Sequence, residues 1–110
     1  MRVSQPELFE RVLSAYLTHA PKQCEQLVGA AAEAEANVDL VRIAAHSLKS
    51  SCASVGADGL ARVCRDLEEL ARGQRAPESY EATALRIEQG LNLVCDALRD
   101  RLRVDAEQAA

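Results

Sequence analysis

His46 sits between two cations, with Arg42 four residues before it and Lys49 three residues after, in the run Arg42-Ile43-Ala44-Ala45-His46-Ser47-Leu48-Lys49-Ser50. Residues three and four apart share one face of a helix. That spacing gathers Arg42, Ile43, His46, Lys49, Ser50 and, two turns on, Ala53 around one imidazole. Ala44 and Leu48 project about 160° away from it, so they are expected in a core and His46 in solvent. A neutral imidazole is a competent nucleophile near neutral pH. Phosphoryl transfer asks a protein mainly for in-line positioning and for compensation of charge on the moving oxygens. Lys49 can supply that charge, and the small Ser50 and Ala53 leave room for another protein's active site to close over the ring. A metal is less suited to this face, because no second ligand stands at helical spacing.

The elements that must hold this face are all helical. Hydrophobic residues make up 48% of the 110-residue chain, aromatics only 3%, and most of the apolar content is Ala, Leu and Val. Such a composition favours helices packed through small side chains over strands. Ser4, Pro6 and Glu7 look like a helix start. Phe9, Leu13, Tyr16, Ala20, Cys24, Leu27 and Ala31 then recur at steps of three and four. Pro21 interrupts the backbone pattern, but the stripe keeps its register, which predicts a kinked helix or two collinear ones rather than a domain break. Asn37 can cap a second helix, whose stripe is Leu40 or Val41, Ala44, Leu48, Cys52 and Val55, and Gly56 stops it. A third follows with Leu60, Val63, Cys64, Leu67, Leu70 and Ala71. Gly73 to Pro77 reads as a loop. Tyr80, Ala84, Ile87, Leu91, Val94, Leu98 and Leu102 mark the last helix. Short connections between long amphipathic helices force antiparallel neighbours. The expected fold is therefore an all-α, up-down four-helix bundle over residues 1–104, with a frayed tail over 105–110.

Composition also excludes. A net charge of −4 and a pI near 5.2 argue against nucleic acid, whose phosphates need a basic surface. No apolar run is long enough to span a bilayer and no signal-peptide pattern opens the chain, so no membrane contact and a cytoplasmic location are expected. Cys24, Cys52, Cys64 and Cys95 stand singly on helical stripes, which suits small core thiols better than a disulfide or zinc framework. The five glycines are scattered, without a phosphate-cradling loop. The chain has no ATP site and cannot be a kinase by itself.

Ala45-His46-Ser47-Leu48-Lys49-Ser50-Ser51, then Val55-Gly56-Ala57, Leu60, Cys64, Leu67 and Glu68, resembles the signature of histidine-containing phosphotransfer (HPt) domains, running without a gap from Ala45 to Glu68. The resemblance implies that His46 is the phosphoacceptor, through Nε2, and that Lys49 stabilises the phosphoryl group. It implies that Gly56-Ala57 make the tight turn between the two helices of a docking surface to which Arg42, Ile43, Ser50, Ala53 and Gly56 contribute. Cys64, Leu67 and Glu68 would be packing and helix-surface positions rather than chemical ones. The partners it implies are receiver domains, which bring the aspartyl phosphate and Mg²⁺, so this domain carries no cofactor of its own and works as a monomer. Ser50 departs from the glycine common after the family's lysine, which bears on partner preference. The chain opens directly on its first helix, which fits the C-terminal module of a hybrid sensor kinase whose remainder could be anchored in the inner membrane.

Three rivals make different demands. A sensor kinase's dimerisation and phosphoacceptor domain typically follows its histidine with an acid and a kinking proline, whereas Ser47 follows here and the next proline is Pro77. A metal- or haem-binding bundle would use His19, Cys24 or His46, but the Glu-x-x-His pairs of di-metal bundles are missing. A plain helical adaptor would not depend on His46.

Overall fold

The computed structural model describes residues 6–33, 37–73 and 77–109. These form four helices, α1 (Pro6–Ala32), α2 (Val38–Ser54), α3 (Asp58–Arg72) and α4 (Pro77–Ala109), and no strand among the described residues. Each packs against its neighbours in sequence, and α4 closes back on α1. The long dimension of the molecule, 51 Å, is the length that the 33 residues of α4 need at about 1.5 Å per residue.

Local chemistry sets the ends. Pro6 and Pro77 open α1 and α4, at first-turn positions where the missing N–H costs nothing. The Ser4 cap expected ahead of α1 falls outside the described residues. Asn37 Oδ1 accepts from the Leu40 N–H at 3.2 Å and caps α2. At the end of α2, Gly56 takes φ +78°, the left-handed conformation that closes a helix. Its N–H donates to the Ala53 carbonyl (3.1 Å) and that of Ala57 to the Cys52 carbonyl (2.9 Å). The chain thereby reverses within three residues, and α3 starts at Asp58 as the antiparallel partner of α2.

The core runs through all four helices, from Tyr16, Ala20, Cys24 and Leu27 on α1 to Tyr80, Ala84, Ile87 and Leu91 on α4. Burying side chains such as Leu27, Leu48 and Leu67, each 0% exposed, contributes about 1.5–3 kcal/mol apiece. This burial decides the roll of α2. Val41, Ala44, Ala45, Leu48 and Cys52 face inward, so turning the helix to bury residue 46 would expose Leu48 and Val41. All four cysteines are buried and free, and burial pushes the Cys24 thiol up to about 11. Tyr16 shares a hydrogen bond with Cys52 Sγ (3.3 Å), and the Tyr80 hydroxyl donates to the Leu70 carbonyl near the end of α3.

The structure resolves points that the sequence left open. Pro21 lies inside a single helix, α1, which continues through it to Ala32; packing on both sides of the proline outweighs the one lost backbone bond. Val41 takes the core position, leaving Leu40 half-exposed, and Phe9 is 38% exposed. Tyr16 already meets Cys52 near the turn at the end of α2, so the start of α1 lies beyond the cover of the two shorter helices. The segment expected to fray belongs to α4, which runs to Ala109 and carries ion pairs four residues apart, Arg101–Asp105 and Arg103–Glu107.

Candidate functional site

The short turn at Gly56 brings the middle of α2 alongside the second half of α3, and His46 and Glu68 meet there. The His46 side chain is 59% exposed, as its helix position requires. Its Nδ1 lies 2.8 Å from Glu68 Oε2. The other oxygen of the same carboxylate, Oε1, accepts from Lys49 Nζ at 2.8 Å. Arg72, one turn further along α3, places Nη2 3.0 Å from Oε2. One carboxylate thus receives three cationic or potentially cationic side chains.

Glu68 is the only buried charged side chain among the described residues, 3% exposed. A buried charge persists only where it is paired and hydrogen-bonded, and here both oxygens are. The hydrogen bond from Lys49 holds the carboxyl below the usual glutamate range, against the upward push of burial, and the bond with His46 adds to the lowering. Glu68 is therefore a carboxylate at neutral pH and can only accept. It follows that Nδ1 of a neutral His46 carries the proton and donates, and that the lone pair resides on Nε2. No hydrogen bond to Nε2 occurs among the described residues, and the ring is open to solvent on its outer side. The result is an oriented imidazole whose nucleophilic nitrogen is unblocked.

Sequence reasoning placed Glu68 among packing and surface positions; the geometry corrects this, since the side chain is buried and bonded to the imidazole. The surface around His46 carries no acid from its own helix, but α3 inserts one beneath the ring. The signal was present in the α3 stripe. Cys64, Leu67, Glu68 and Ala71 recur at steps of three and one-turn spacing and all four are buried, so an acid stands on a buried stripe, where it needs a partner. Cys64 and Leu67 are wholly buried packing residues. The remaining candidates stay on the outer face: Ile43, Ser50, Ala53 and Gly56 are exposed, and Arg42 is partly so. Exposed Ile43, Ser50 and Ala53 share the helix face of His46 and give it apolar and small neighbours. His19 is exposed on α1, away from this cluster. Among the described residues no group of three or more His, Cys, Asp and Glu side chains is arranged to hold a metal, and no helix is long and apolar enough to cross a membrane.

The arrangement can carry a group on Nε2 while Glu68 supports the ring from Nδ1. Comparison with known proteins gives a family and a fold. The family model described as "Hpt domain" matches residues 11–108. No curated protein sequence matches the chain. Among solved structures, the histidine-containing phosphotransfer protein ZmHP2 from maize superposes with a TM-score of 0.83 at 18% identity, covering 93% of this chain and 82% of the maize chain. At that identity the likeness is one of fold.

Proposed function

Because the chain belongs to the Hpt domain family, whose members carry phosphoryl groups in two-component signalling and interact with receiver domains, we propose that its phosphoacceptor is Nε2 of His46. The observation that carries this reading is the Nδ1–Glu68 hydrogen bond at 2.8 Å on an otherwise exposed ring. Before transfer, the Nε2 lone pair faces the phosphorus of an aspartyl phosphate on the receiver. The Nε2–P bond forms as the bond from phosphorus to the aspartate oxygen breaks, and the electron pair leaves with the aspartate carboxylate. The ring gains positive character while keeping its proton on Nδ1, and Glu68 stabilises that charge across the hydrogen bond. Lys49, three residues from His46, offsets charge on the phosphoryl oxygens. Reversal of the same step delivers the group to a second receiver.

In this reading Arg42, Ile43, Ser50, Ala53 and Gly56 contact the receiver, and the Mg²⁺ that accompanies the aspartate belongs to that partner. The domain works as a monomer in the cytoplasm, as a module of a hybrid sensor kinase. ³¹P NMR of the chain after incubation with a phosphorylated receiver domain tests the central assignment. The expected product is a phosphoramidate on Nε2 of His46. A phosphate on Nδ1, or on any other residue, would overturn it.

A further inference from the structure

Next to Lys49, on the α3 side of the His46 face, a shallow notch of about 180 Å³ is lined by Lys49, Asp58, Ala61, Arg62 and Arg65. The Lys49 ammonium is taken up by Glu68. Arg62 and Arg65 are exposed and, among the described residues, neither forms an ion pair. Three residues apart on one helix, they repel each other; Asp58, Asp66 and Glu69 each stand four residues from one of them, but none comes within ion-pair distance. The arginines near the end of α4 differ: Arg99, Arg101 and Arg103 each pair with an acid three or four residues away. A chain with a net charge of −4 thus keeps two exposed guanidinium groups, free of ion pairs among the described residues, on the α3 side of its candidate phosphoacceptor.

A receiver domain that holds its phosphoryl group on an aspartate, with Mg²⁺, must gather oxygen ligands, carboxylates among them. A receiver that carries further acidic side chains around those ligands would bring them over this notch as it approaches His46. We infer that Arg62 and Arg65 form a second, charge-reading contact that takes a carboxylate side chain from the receiver's rim and so determines which receiver exchanges phosphate efficiently. The inference rests on the His46 reading and names the side chains through which α3 meets the receiver. Arginine suits the task, since its planar fork meets a carboxylate with two parallel bonds. Rim charges act mainly on association rate and on its salt dependence.

The test compares wild type with the double variant Arg62→Glu/Arg65→Glu and with Arg62→Lys/Arg65→Lys, using two phosphodonors. Phosphoramidate labels an accessible imidazole without a protein partner; a receiver domain with at least two acidic residues beside its aspartate, phosphorylated beforehand by acetyl phosphate, requires docking. The charge-reversed variant is expected to take label at His46 from phosphoramidate at the wild-type rate. Its second-order rate constant with the receiver should fall by about tenfold or more at low salt, with a flattened or inverted salt dependence, as expected when steering charge is lost. The lysine variant should recover most of the rate. Wild-type transfer rate and salt dependence in the charge-reversed protein would overturn the inference while leaving His46 standing. Failure of wild type to take label at His46 from either donor would overturn both.

Discussion

Glu68 Oε2 on α3 lies 2.8 Å from His46 Nδ1 on α2, so an almost wholly buried carboxylate holds an exposed imidazole by one nitrogen and leaves the other without a hydrogen bond among the described residues. The bundle core fixes the roll of α2, the left-handed Gly56 turn fixes α3 against it, and the pair of helices then fixes the ring.

Glu68→Gln keeps the shape of that contact and removes its charge. The amide can donate as well as accept, so the preference for a proton on Nδ1 weakens. Loss of such an orienting partner typically costs about 10- to 100-fold, and a fall of that order is expected in the rate of phosphoryl acceptance. ¹⁵N chemical shifts of the neutral ring report the tautomer independently. An unchanged tautomer together with an unchanged rate would remove Glu68 from the mechanism.

The same carboxylate makes stability depend on pH. Its folded-state pKa is lowered, chiefly by the Lys49 hydrogen bond against the opposing effect of burial. The unfolded chain therefore binds the proton first as pH falls, and the contribution is complete above the ordinary glutamate value of about 4.3. It is lost as pH falls through the lower folded-state value. Urea midpoints should show wild type more stable than Glu68→Gln at pH 7, with the gap closing on acidification. A gap that widened in acid would mean the opposite sign of shift.

Lys49→Met removes a bond to Glu68 and, in the proposed mechanism, a cation that offsets charge on the phosphoryl oxygens. Receiver-to-chain transfer should slow by about tenfold or more, on the scale of losing one charge-stabilising donor. Lys49→Arg should restore part of the rate, because charge returns with a different hydrogen-bonding shape. Equal rates in wild type and Lys49→Met would confine this lysine to a packing role.

Gly56→Ala probes the turn. A Cβ built there meets nothing within 4 Å, so crowding is not the obstacle. The φ of +78° is, at about 1–2 kcal/mol for a residue with a side chain. Thermal or urea unfolding should show a loss of that size, with labelling of His46 by phosphoramidate, which needs no receiver contact, retained in the folded protein. No loss of stability would mean the turn relaxes to another conformation.

The helices were legible because their apolar positions recur with the helical period, most plainly on α2, where Ala44, Leu48 and Cys52 turned His46 outward. Asn37 and Gly56 punctuated that helix through side-chain and backbone preferences that act locally. What local rules missed depended on other helices. Phe9 fits its stripe yet stays 38% exposed, and the residues after Leu102 lack a stripe yet hold a helix with charge pairs. Glu68 is the instructive case. Its place on the buried side of α3 could be read from Cys64, Leu67 and Ala71, but its partner lay 22 residues away, and only the packing of α3 on α2 joins them.

The most direct measurement follows label from a ³²P-phosphorylated receiver domain onto wild type and onto His46→Gln, with folding of both checked by circular dichroism. Acid-labile label should appear on wild type and be absent from His46→Gln, whose helix content and melting should stay close to wild type, because the amide can still donate to Glu68, which Lys49 and Arg72 continue to pair. Undiminished label on a folded His46→Gln would place the phosphoacceptor elsewhere and contradict the site described here.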